Sequence, residues 1–479
     1  MANRKRKILW ISGGVVLAVI VLIIAVLLFG VKALKPQIEA AASKSLGMDV
    51  RIRGGVSVSL FPVFGASLAD ITATKGGADV ASMASLRIGL KFLPLVRGRA
   101  EITRLELVKP VISIVRQKNG KLNIETQGGQ SSGNPLTVKK LSISQGSLRF
   151  TDLQSGGKIE LEGVDITAAD LFAGGTPGGD PLKTLSLNAE IRCRTFKAGN
   201  ITLADLAMKV VGGNGVFDIS HARMKVFGGT GSATLQADFT AAEPHFKIAY
   251  ALSRFRIEEL LQESPNAKKM VGLADFSADL TARGKTEVEV KRALSGQVSL
   301  SGANIGLNGI DIDGLLGSLE RTQSFNLVDV GGFFLAGPMG TALTRGYNFA
   351  GLYGESQGGK GVISKLVSVW KVGGGVAEAV DVAMATKKHR IAVKGGLNFI
   401  NDRFENVVVA VVDPRGCAAF SQKIHGPFSR PEIDKISTLK SLTSPLTSLL
   451  GMGKKLVEPG PCVPFYSGSV APPEAGKLP

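Results

Sequence analysis

Hydrophobic and polar residues alternate with a period of two along most of the chain from residue 50 onwards. Near the start, Val50, Ile52, Val56 and Val58 alternate with Arg and Ser residues. Successive side chains of a β-strand point to opposite faces, so this pattern predicts strands with one buried and one polar side. The alternation recurs in residues 86–92, 102–107, 111–116, 141–143, 147–150, 185–187, 201–203 and 233–239. Gly, Asn and Asp residues bound these runs and predict turns between antiparallel strands.

The number of predicted strands constrains the shape of the sheet. Twisted open sheets seldom exceed about ten strands without curling or splitting. We therefore predict a mainly β fold: a long, highly twisted antiparallel ribbon that curls into an open groove, whose inner face is a continuous apolar trough. Helical patterns are few, at residues 37–46, 257–261 and 436–450, and Pro445 interrupts the last of them.

The N-terminal residues predict a membrane anchor. Residues 8–31 form an uncharged, strongly apolar run that is long enough to cross a bilayer as a helix. A buried core helix of this length would be expected to carry a polar stripe, and the absence of a small-residue cleavage site before Lys32 argues against a signal peptide. Four basic residues in the tail 1–7 predict a cytoplasmic N-terminus. The bulk of the chain is then exported.

The composition adds a strong positive charge and a high glycine content. The formal net charge is +18, and 60 of the 479 residues are Gly, which fits many short strands separated by turns. The Lys and Arg residues are scattered, which argues against a nucleic-acid partner because such binding depends on phosphate neutralisation. Two explanations of the charge stay open: weak attraction to anionic headgroups or envelope polymers, and ordinary solubilising charge.

The C-terminal part carries two of the three cysteines and an amphipathic segment. A disulfide between Cys417 and Cys462 would tie the tail to the body of an exported protein. Cys193, within a strand-like run, is predicted to be a small buried hydrophobe. The segment 436–450, with lysines around it, would either lie on a membrane surface or plug one end of the groove.

None of the patterns expected of an enzyme or a metal site is complete. Residues 354–361 have the spacing of a phosphate-binding loop, but Gly361 replaces the Ser or Thr that would hold Mg²⁺. The four His residues are not paired with one another or with Cys at ligand spacing. Ser437 and Lys440 match a Ser-x-x-Lys spacing without its companion motifs. We therefore predict no catalytic residue, no metal and no cofactor, and a protein that is not an enzyme.

Several short motifs follow the predicted anchor in a fixed order. They combine strands with Pro residues, Gly pairs and a Gly-x-x-Asn turn, and lie at residues 56–64, 92–95, 102–110, 119–123, 214–217, 225–233, 294–300, 309–312, 374–377, 381–382, 389–395, 424–428 and 430–433. In this order the chain resembles the AsmA family of bacterial envelope proteins. Residues 333–361, rich in Gly and aromatic residues, do not match the family pattern.

The resemblance suggests a division of the exported chain. We expect an N-terminal β region at 32–170, a middle β region at 171–290, a C-terminal β region at 291–435, and the amphipathic segment with a Pro-rich tail at 436–479. The resemblance also implies a bridge-like protein that moves phospholipids, anchored in the inner membrane with its bulk in the periplasm.

An apolar trough has a clear physical use. An acyl chain of about sixteen carbons left in water would cost on the order of 12 kcal/mol, most of which a trough removes. The residues predicted to line it are apolar positions of the alternating runs: Leu148, Phe150, Leu185, Leu187, Leu203, Phe217, Leu235 and Phe239. Alternation alone does not tell which face is inside, and the same residues would also suit a closed core between packed sheets.

Two functions stay open from the sequence. The first is a passive conduit or carrier for phospholipids, which takes lipid from the inner membrane and supports outer-membrane lipid homeostasis without a visible energy source. The second is a non-transporting scaffold that assists the assembly of outer-membrane proteins or lipopolysaccharide. A hydrolase lacks every residue constellation that it would need.

Overall fold

The computed structural model describes residues 34–59, 64–91, 102–124, 136–174, 181–199, 201–262, 270–322, 327, 359–438 and 462–473. The chain forms two compact units, unit 1 at residues 1–215 and unit 2 at residues 216–479. The predicted membrane helix at 8–31, residues 333–358 and residues 439–450 of the predicted amphipathic segment lie outside the described residues. Among those described, no helix is both long and apolar enough to cross a membrane. The predicted region boundaries stay a prediction.

Unit 1 contains ten strands and two helices in its described part. The helix predicted at 37–46 is confirmed as α1 (Leu34–Leu46), and α2 (Pro181–Thr184) is a single turn. The strands are β1 (Asp49–Ile52), β2 (Val56–Ser59), β3 (Phe64–Lys75), β4 (Ala78–Leu90), β5 (Ile102–Val108), β6 (Val111–Arg116), β7 (Leu136–Asp152), β8 (Lys158–Ala173), β9 (Ser186–Ala198) and β10 (Ile201–Gly213).

Most neighbouring strands of unit 1 are antiparallel, but two pairs are not. β1 and β2 pair with one edge of β3, and β7, β8, β9 and β10 form successive antiparallel pairs. Between these groups, β5 and β6 lie end to end, and both pair with β7 in parallel. β7 begins at Leu136, and residues 125–135, which precede it in the chain, lie outside the described residues. The predicted antiparallel ribbon is wrong at these two pairs, β5–β7 and β6–β7, because side-chain alternation does not reveal strand direction.

A line of irregular residues crosses the strands of unit 1 near their middle. The residues on this line, here called the crease, have φ angles between 50° and 63°: Asp70, Lys109, Gln145, Gly163 and Asp205. Bulges of this kind bend a strand and insert one extra residue, so that apolar positions of odd number at one end of the strand and of even number at the other point to the same side of the sheet. At Gly163 a side chain would also be too close, since an added Cβ would lie 2.9 Å from the Cβ of Arg194.

Within its described residues, unit 2 contains the remaining strands and several short helices. The helix predicted at 257–261 is confirmed as the single turn α3 (Ile257–Leu260), whereas α4 (Glu287–Ala293) and α5 (Ile312–Thr322) were not predicted. The strands are β11 (Val216–Val226), β12 (Gly229–Asp238), β13 (His245–Arg256), β14 (Met270–Val271), β15 (Leu273–Arg283), β16 (Ser295–Asn308), β17 (Lys360–Gly373), β18 (Val376–Ala385), β19 (Arg390–Asn398), β20 (Arg403–Val412), β21 (Ala418–Pro427), β22 (Glu432–Ile433) and β23 (Ser437–Thr438).

The strands of unit 2 follow one another in antiparallel order. From β11 to β21 each strand pairs with the next, except that the short β14 lies beside β16 and lets β13 pair with β15. β22 and β23 pair with β21, so the predicted helix is wrong at residues 437–438, which form a strand. The described part of the chain confirms a mainly β fold of extensive antiparallel sheet with a few short helices.

The β17–β20 end of unit 2 is covered on both faces. Residues 462–473, here called the strap, lie on one face, where Tyr466 and Val470 pack against a cluster that includes Ala383 and Ala410. A disulfide joins Cys417 and Cys462, whose Cα atoms are 6.2 Å apart. Met384 and Ile391 point to the other face and are also inaccessible to solvent. This end of the unit is therefore closed core.

Candidate functional site

One face of the sheet in unit 1 is apolar across every strand. Residues paired across a sheet point to the same side, so the strand registers define rows of neighbouring side chains. The rows are a (Val58, Ala66, Ile88, Leu105, Leu141, Ala168, Ala189, Val210), b (Val56, Leu68, Leu86, Leu107, Ile143, Ile166, Ile191, Met208), c (Val50, Ala73, Ala81, Ile112, Leu148, Leu161, Phe196, Leu203) and d (Ile114, Phe150, Ile159, Ala198, Ile201). Together these rows form the unit 1 apolar face.

The crease keeps the four rows on one side of the sheet. Rows a and b lie on one side of the crease, and rows c and d lie on the other. In β7 the apolar positions change from odd numbers, Leu141 and Ile143, to even numbers, Leu148 and Phe150. The bulge at Gln145 absorbs the extra residue, and its N–H donates to the Asp165 carboxylate at 2.9 Å. The change from odd- to even-numbered apolar positions would otherwise place half of them on the opposite side of the sheet. The irregular residues of the crease prevent this.

The opposite face of unit 1 is polar and partly ion-paired. Arg87 and Glu106 face each other across β4 and β5 with an N–O distance of 3.4 Å. Glu190 and Lys209 do the same across β9 and β10 at 3.0 Å. Exposed ion pairs of this kind contribute little stability. These ion pairs do indicate that this face is the solvent-exposed one.

The unit 1 apolar face is only partly covered within the described residues. At the β1–β3 end, α1 lies against it, and Ile38 and Ala42 pack on a buried cluster. Glu39 and Ser43 of α1 also accept hydrogen bonds from the N–H groups of Ile52 and Val50, at 2.7 and 2.9 Å. Beyond β4 most of the face is half-buried, and 39% of Ile112 and 47% of Ile201 are exposed. Such partial burial is typical of a binding surface rather than a closed core.

The structure brings four of the five predicted groove residues of unit 1 onto this single face. Leu148 and Leu203 belong to row c and Phe150 to row d, while Leu187 pairs with Gly212 on the same side. Leu185 lies immediately before β9 and is half-buried like the other four. The strand registers show that these apolar side chains share one face, and that this face lines a groove stays a prediction. That lipid occupies the face stays a prediction.

Sequence reasoning missed the contribution of β8 to this face. The apolar residues of β8 on this face pair with β7 on one side and β9 on the other. They are Ile159, Leu161, Val164 and Ile166. The signal was present, because Ile159 and Leu161 alternate with charged residues as clearly as the runs that were recognised. The alternation then changes phase at Gly163, which breaks the pattern into two short pieces.

In unit 2 the three remaining predicted residues also lie on one apolar face. Leu235 stands in a row with Ile219, Ile248 and Leu280, and all four side chains are at least partly exposed. Phe217 and Phe239 contact each other edge to face with ring centroids 5.9 Å apart. The sequence reasoning did not identify β13, whose alternating residues complete this surface: Phe246, Ile248, Tyr250 and Leu252.

The β18–β19 turn is fixed to the start of α5 by a half-buried carboxylate. Oδ1 of Asp313 accepts a hydrogen bond from the Thr386 hydroxyl at 2.5 Å and lies 2.8 Å from Nδ1 of His389. Burial opposes the ionisation of Asp313, but the bonds from His389 and Thr386 outweigh it and lower the pKa of this carboxyl. Ile312 and Leu316 of α5 are buried. We therefore assign Asp313 and His389 a structural function rather than a catalytic one.

Replacement of Asp313 tests this assignment through pH. A carboxyl whose pKa is lowered by folding stabilises the fold above its ordinary pKa, and that contribution is lost as the pH falls through the folded-state pKa. We expect Asp313→Asn to lower the free energy of unfolding by about 2 kcal/mol at pH 7, with a difference that shrinks below about pH 4. Urea unfolding at several pH values measures it. Asp279→Asn, at an exposed position of β15, is the control that should change neither value. An Asp313→Asn effect independent of pH would contradict the assignment.

The strap is held by several polar contacts besides the disulfide. The Tyr466 hydroxyl donates to Oδ1 of Asp381 at 2.5 Å, and the Ser469 N–H donates to Oδ2 at 3.1 Å. Burial and the Asp381 carboxylate raise the pKa of Tyr466 to about 12. The buried Arg390 donates to the carbonyls of Val470 and Asp413 at 3.0 and 2.8 Å. These contacts make the strap an integral part of unit 2.

The described residues contain no cluster suited to metal binding, and the candidate thiol and phosphate-loop residues have structural positions. No group of three or more His, Cys, Asp or Glu residues within them could hold a metal ion. The Cys193 thiol is buried, which raises its pKa, and lies 3.1 Å from the Thr195 carbonyl, so it is a satisfied core group. Lys360 and Gly361 begin β17, whereas a phosphate-binding loop would lead into a helix.

Comparison with known proteins gives one match. A family model, described as the AsmA family, matches residues 1–175 and 180–329, which is about two thirds of the chain. No curated protein and no solved structure matches the chain.

Proposed function

The chain belongs to the AsmA family, and on that basis we propose that it binds the acyl chains of phospholipids on its apolar sheet faces and conducts them passively. The family membership supports a function in the bacterial envelope. The single observation that carries the proposal is the unit 1 apolar face: rows a to d run unbroken across the strands while most of their side chains past β4 stay accessible.

The dimensions of the unit 1 apolar face suit an acyl chain. Row a crosses eight strands, which at ~4.8 Å per strand gives roughly 35 Å of apolar surface. One leaflet of a bilayer offers about 15 Å of hydrocarbon, so a whole acyl chain fits along the row. The rows contain only aliphatic residues, Met208 and two Phe residues, and a lipid can therefore slide along them without breaking hydrogen bonds.

The proposed location follows from the sequence. The apolar run at 8–31 and the basic tail 1–7 support a single-pass inner-membrane protein with a cytoplasmic N-terminus and the strands of both units in the periplasm. The disulfide between Cys417 and Cys462 suits such an oxidising compartment. Because the strands of unit 1 follow the anchor in the chain, lipid that leaves the inner membrane reaches these strands first. Delivery of this lipid supports the homeostasis of the outer membrane.

A scaffold function has a different observation in its favour. Beside the strap lies a cavity of about 600 Å³, lined by residues that include Glu378, Lys394, Glu405 and Phe465. Val380 at this cavity is 63% exposed, which is unusual for a large apolar side chain on a strand. Exposed apolar residues beside polar ones are typical of protein contact sites. In this alternative, the closed end of unit 2 holds an assembly partner and no lipid moves.

Lipid analysis of the purified protein separates the two functions. We expect the full chain, extracted from cells, to carry phospholipid that mass spectrometry identifies. A photo-crosslinking residue at Phe150 or Phe217 should attach covalently to lipid, because both side chains lie on apolar faces. The matched control places the same residue at Arg149, which is exposed on the polar face of β7.

The outcomes are distinct. Lipid attached from Phe150 and Phe217 but not from Arg149 supports the conduit. A chain that carries no phospholipid and shows no crosslink above the Arg149 control would overturn the conduit and leave the scaffold function.

A further inference from the structure

The unit 1 apolar face ends at a charged pair. Beyond row d, the next paired residues on the same face are Arg116 of β6 and Asp152 of β7, with Nη1 and Oδ2 3.3 Å apart. The Arg116 guanidinium also lies over the Phe150 ring, 5.6 Å from its centroid. Leu153, 45% exposed, follows Asp152 and donates its N–H to the Arg116 carbonyl. Apolar and cationic groups therefore meet at one lip of the face.

The position and the ionisation of the Asp152 carboxylate depend mainly on groups other than Arg116. Its Oδ1 accepts from the N–H of Gln154 at 2.9 Å, and its Oδ2 accepts from the Ser155 hydroxyl at 2.8 Å. These bonds within the β7–β8 turn lower the pKa of Asp152, and the attraction of Arg116 is the smallest contribution. Within the described residues, the other N–H groups of Arg116 have no protein acceptor. The guanidinium is thus held in place with most of its donors available.

A rigid loop adds further positive charge at the same lip. Residues 116–121 contain Arg116, Lys118 and Lys121 and no acidic residue, and both lysines are exposed. The side chain of Asn123 locks the loop to β6: its Oδ1 accepts from the Val115 N–H at 2.9 Å, and its Nδ2 donates to the Ser113 carbonyl at 3.0 Å. The loop is therefore preorganised rather than a loose charged segment.

We infer that this cationic loop binds the anionic phosphate of a lipid headgroup while the acyl chain lies on Ile114 and Phe150. The inference rests on the proposed lipid-binding function and deepens it, because it names the class of lipid. A guanidinium binds phosphate through two parallel hydrogen bonds, and Lys118 and Lys121 add attraction without fixed geometry. The ammonium group of a zwitterionic headgroup would be repelled by the same three cations. The protein therefore prefers lipids with a net negative head.

Bound-lipid ratios test the preference. The full chain is incubated with vesicles that contain equal amounts of phosphatidylglycerol and phosphatidylethanolamine, reisolated, and analysed by mass spectrometry. We expect phosphatidylglycerol to be enriched about fivefold, and Arg116→Gln to remove most of that enrichment while total bound lipid changes little. Arg149→Gln is the matched control, since Arg149 is exposed on the polar face of the neighbouring strand β7. It should leave the ratio unchanged.

A double variant at exposed residues tests the headgroup site even if Arg116→Gln impairs folding. Lys118→Gln with Lys121→Gln alters only exposed side chains, and we expect a partial loss of the enrichment together with a weaker dependence on salt. Vesicles with a phosphomonoester lipid in place of phosphatidylglycerol distinguish a diester headgroup from the phosphates of a lipopolysaccharide anchor. Equal ratios for wild type, Arg116→Gln and the lysine variant, with lipid still bound, would overturn the headgroup site alone. A wild-type chain that takes up no lipid would overturn the proposed function itself.

Discussion

Leu161→Asp is expected to remove bound phospholipid from the protein without unfolding it. Leu161 stands in the middle of row c, between Leu148 and Phe196, and its side chain is half-buried on the unit 1 apolar face. A carboxylate there is hydrated in the lipid-free protein but would be in contact with acyl chains in the loaded one. Placing Asp against hydrocarbon costs about 3 kcal/mol, which corresponds to roughly a 100-fold loss of affinity. Mass spectrometry of the purified variant measures the lipid.

Two further aspartates make this result interpretable. Thr167→Asp lies in the same strand but on the exposed polar face, and it should retain lipid at the wild-type level. Val138→Asp introduces the charge at a side chain with no solvent access and should unfold unit 1. If Leu161→Asp behaves like Val138→Asp in circular dichroism, the face is closed core. If it keeps its lipid, the chains do not lie on row c.

Loss of the disulfide is expected to lower the stability of unit 2 strongly. Cys417 and Cys462 close a loop with a sequence separation of 45, and restraint of the unfolded chain by such a loop contributes about 4 kcal/mol. The strap also covers the cluster of Ala383, Ala410 and their neighbours, which its release would expose. We therefore expect Cys417→Ser with Cys462→Ser to lower the Tm of unit 2 by about 10 °C, as measured by calorimetry.

Reducing agent and Cys193 provide the controls for the disulfide. Wild type in reducing agent should melt at the temperature of the double variant, because both lack the same bond. Cys193→Ser removes the remaining cysteine, in unit 1, and should leave the transition of unit 2 unchanged. A double variant that melts with wild type would mean that the contacts of Tyr466 and Arg390 suffice to hold the strap.

The unit 1 apolar face and the β17–β20 end of unit 2 differ in whether a second layer covers the sheet. The accessible part of the unit 1 apolar face lacks a second layer in the described chain, so its side chains stay available to a ligand. At β17–β20 the strap supplies that layer on one face, and residues such as Met384, Ile391 and Ala392 lose all contact with solvent. An aspartate on the first surface therefore tests binding, whereas one on the second tests folding.

Part of the candidate site was readable from the sequence. The strict alternation in 141–143 and 147–150 predicts strands whatever they pair with, because the period of two is a local property of the extended backbone. The eight predicted groove residues are all half-buried and on strands or directly beside them. The helices α4 and α5 were missed, although Thr286 and Glu289 form a capping box that the sequence displays.

The sequence by itself determined the mainly β character, the punctuation of the strands by Gly, and which positions are apolar, since each depends only on residues near in the chain. Only the tertiary structure decided that Leu148, Leu161, Phe196 and Leu203 share one face, because strand register is a relation between distant segments. It also decided the parallel pairing of β5 and β6 with β7, and the crease that keeps odd- and even-numbered positions together. The alternation within one strand carries no information about which strand pairs with it, and the apolar face exists only because particular strands pair side by side.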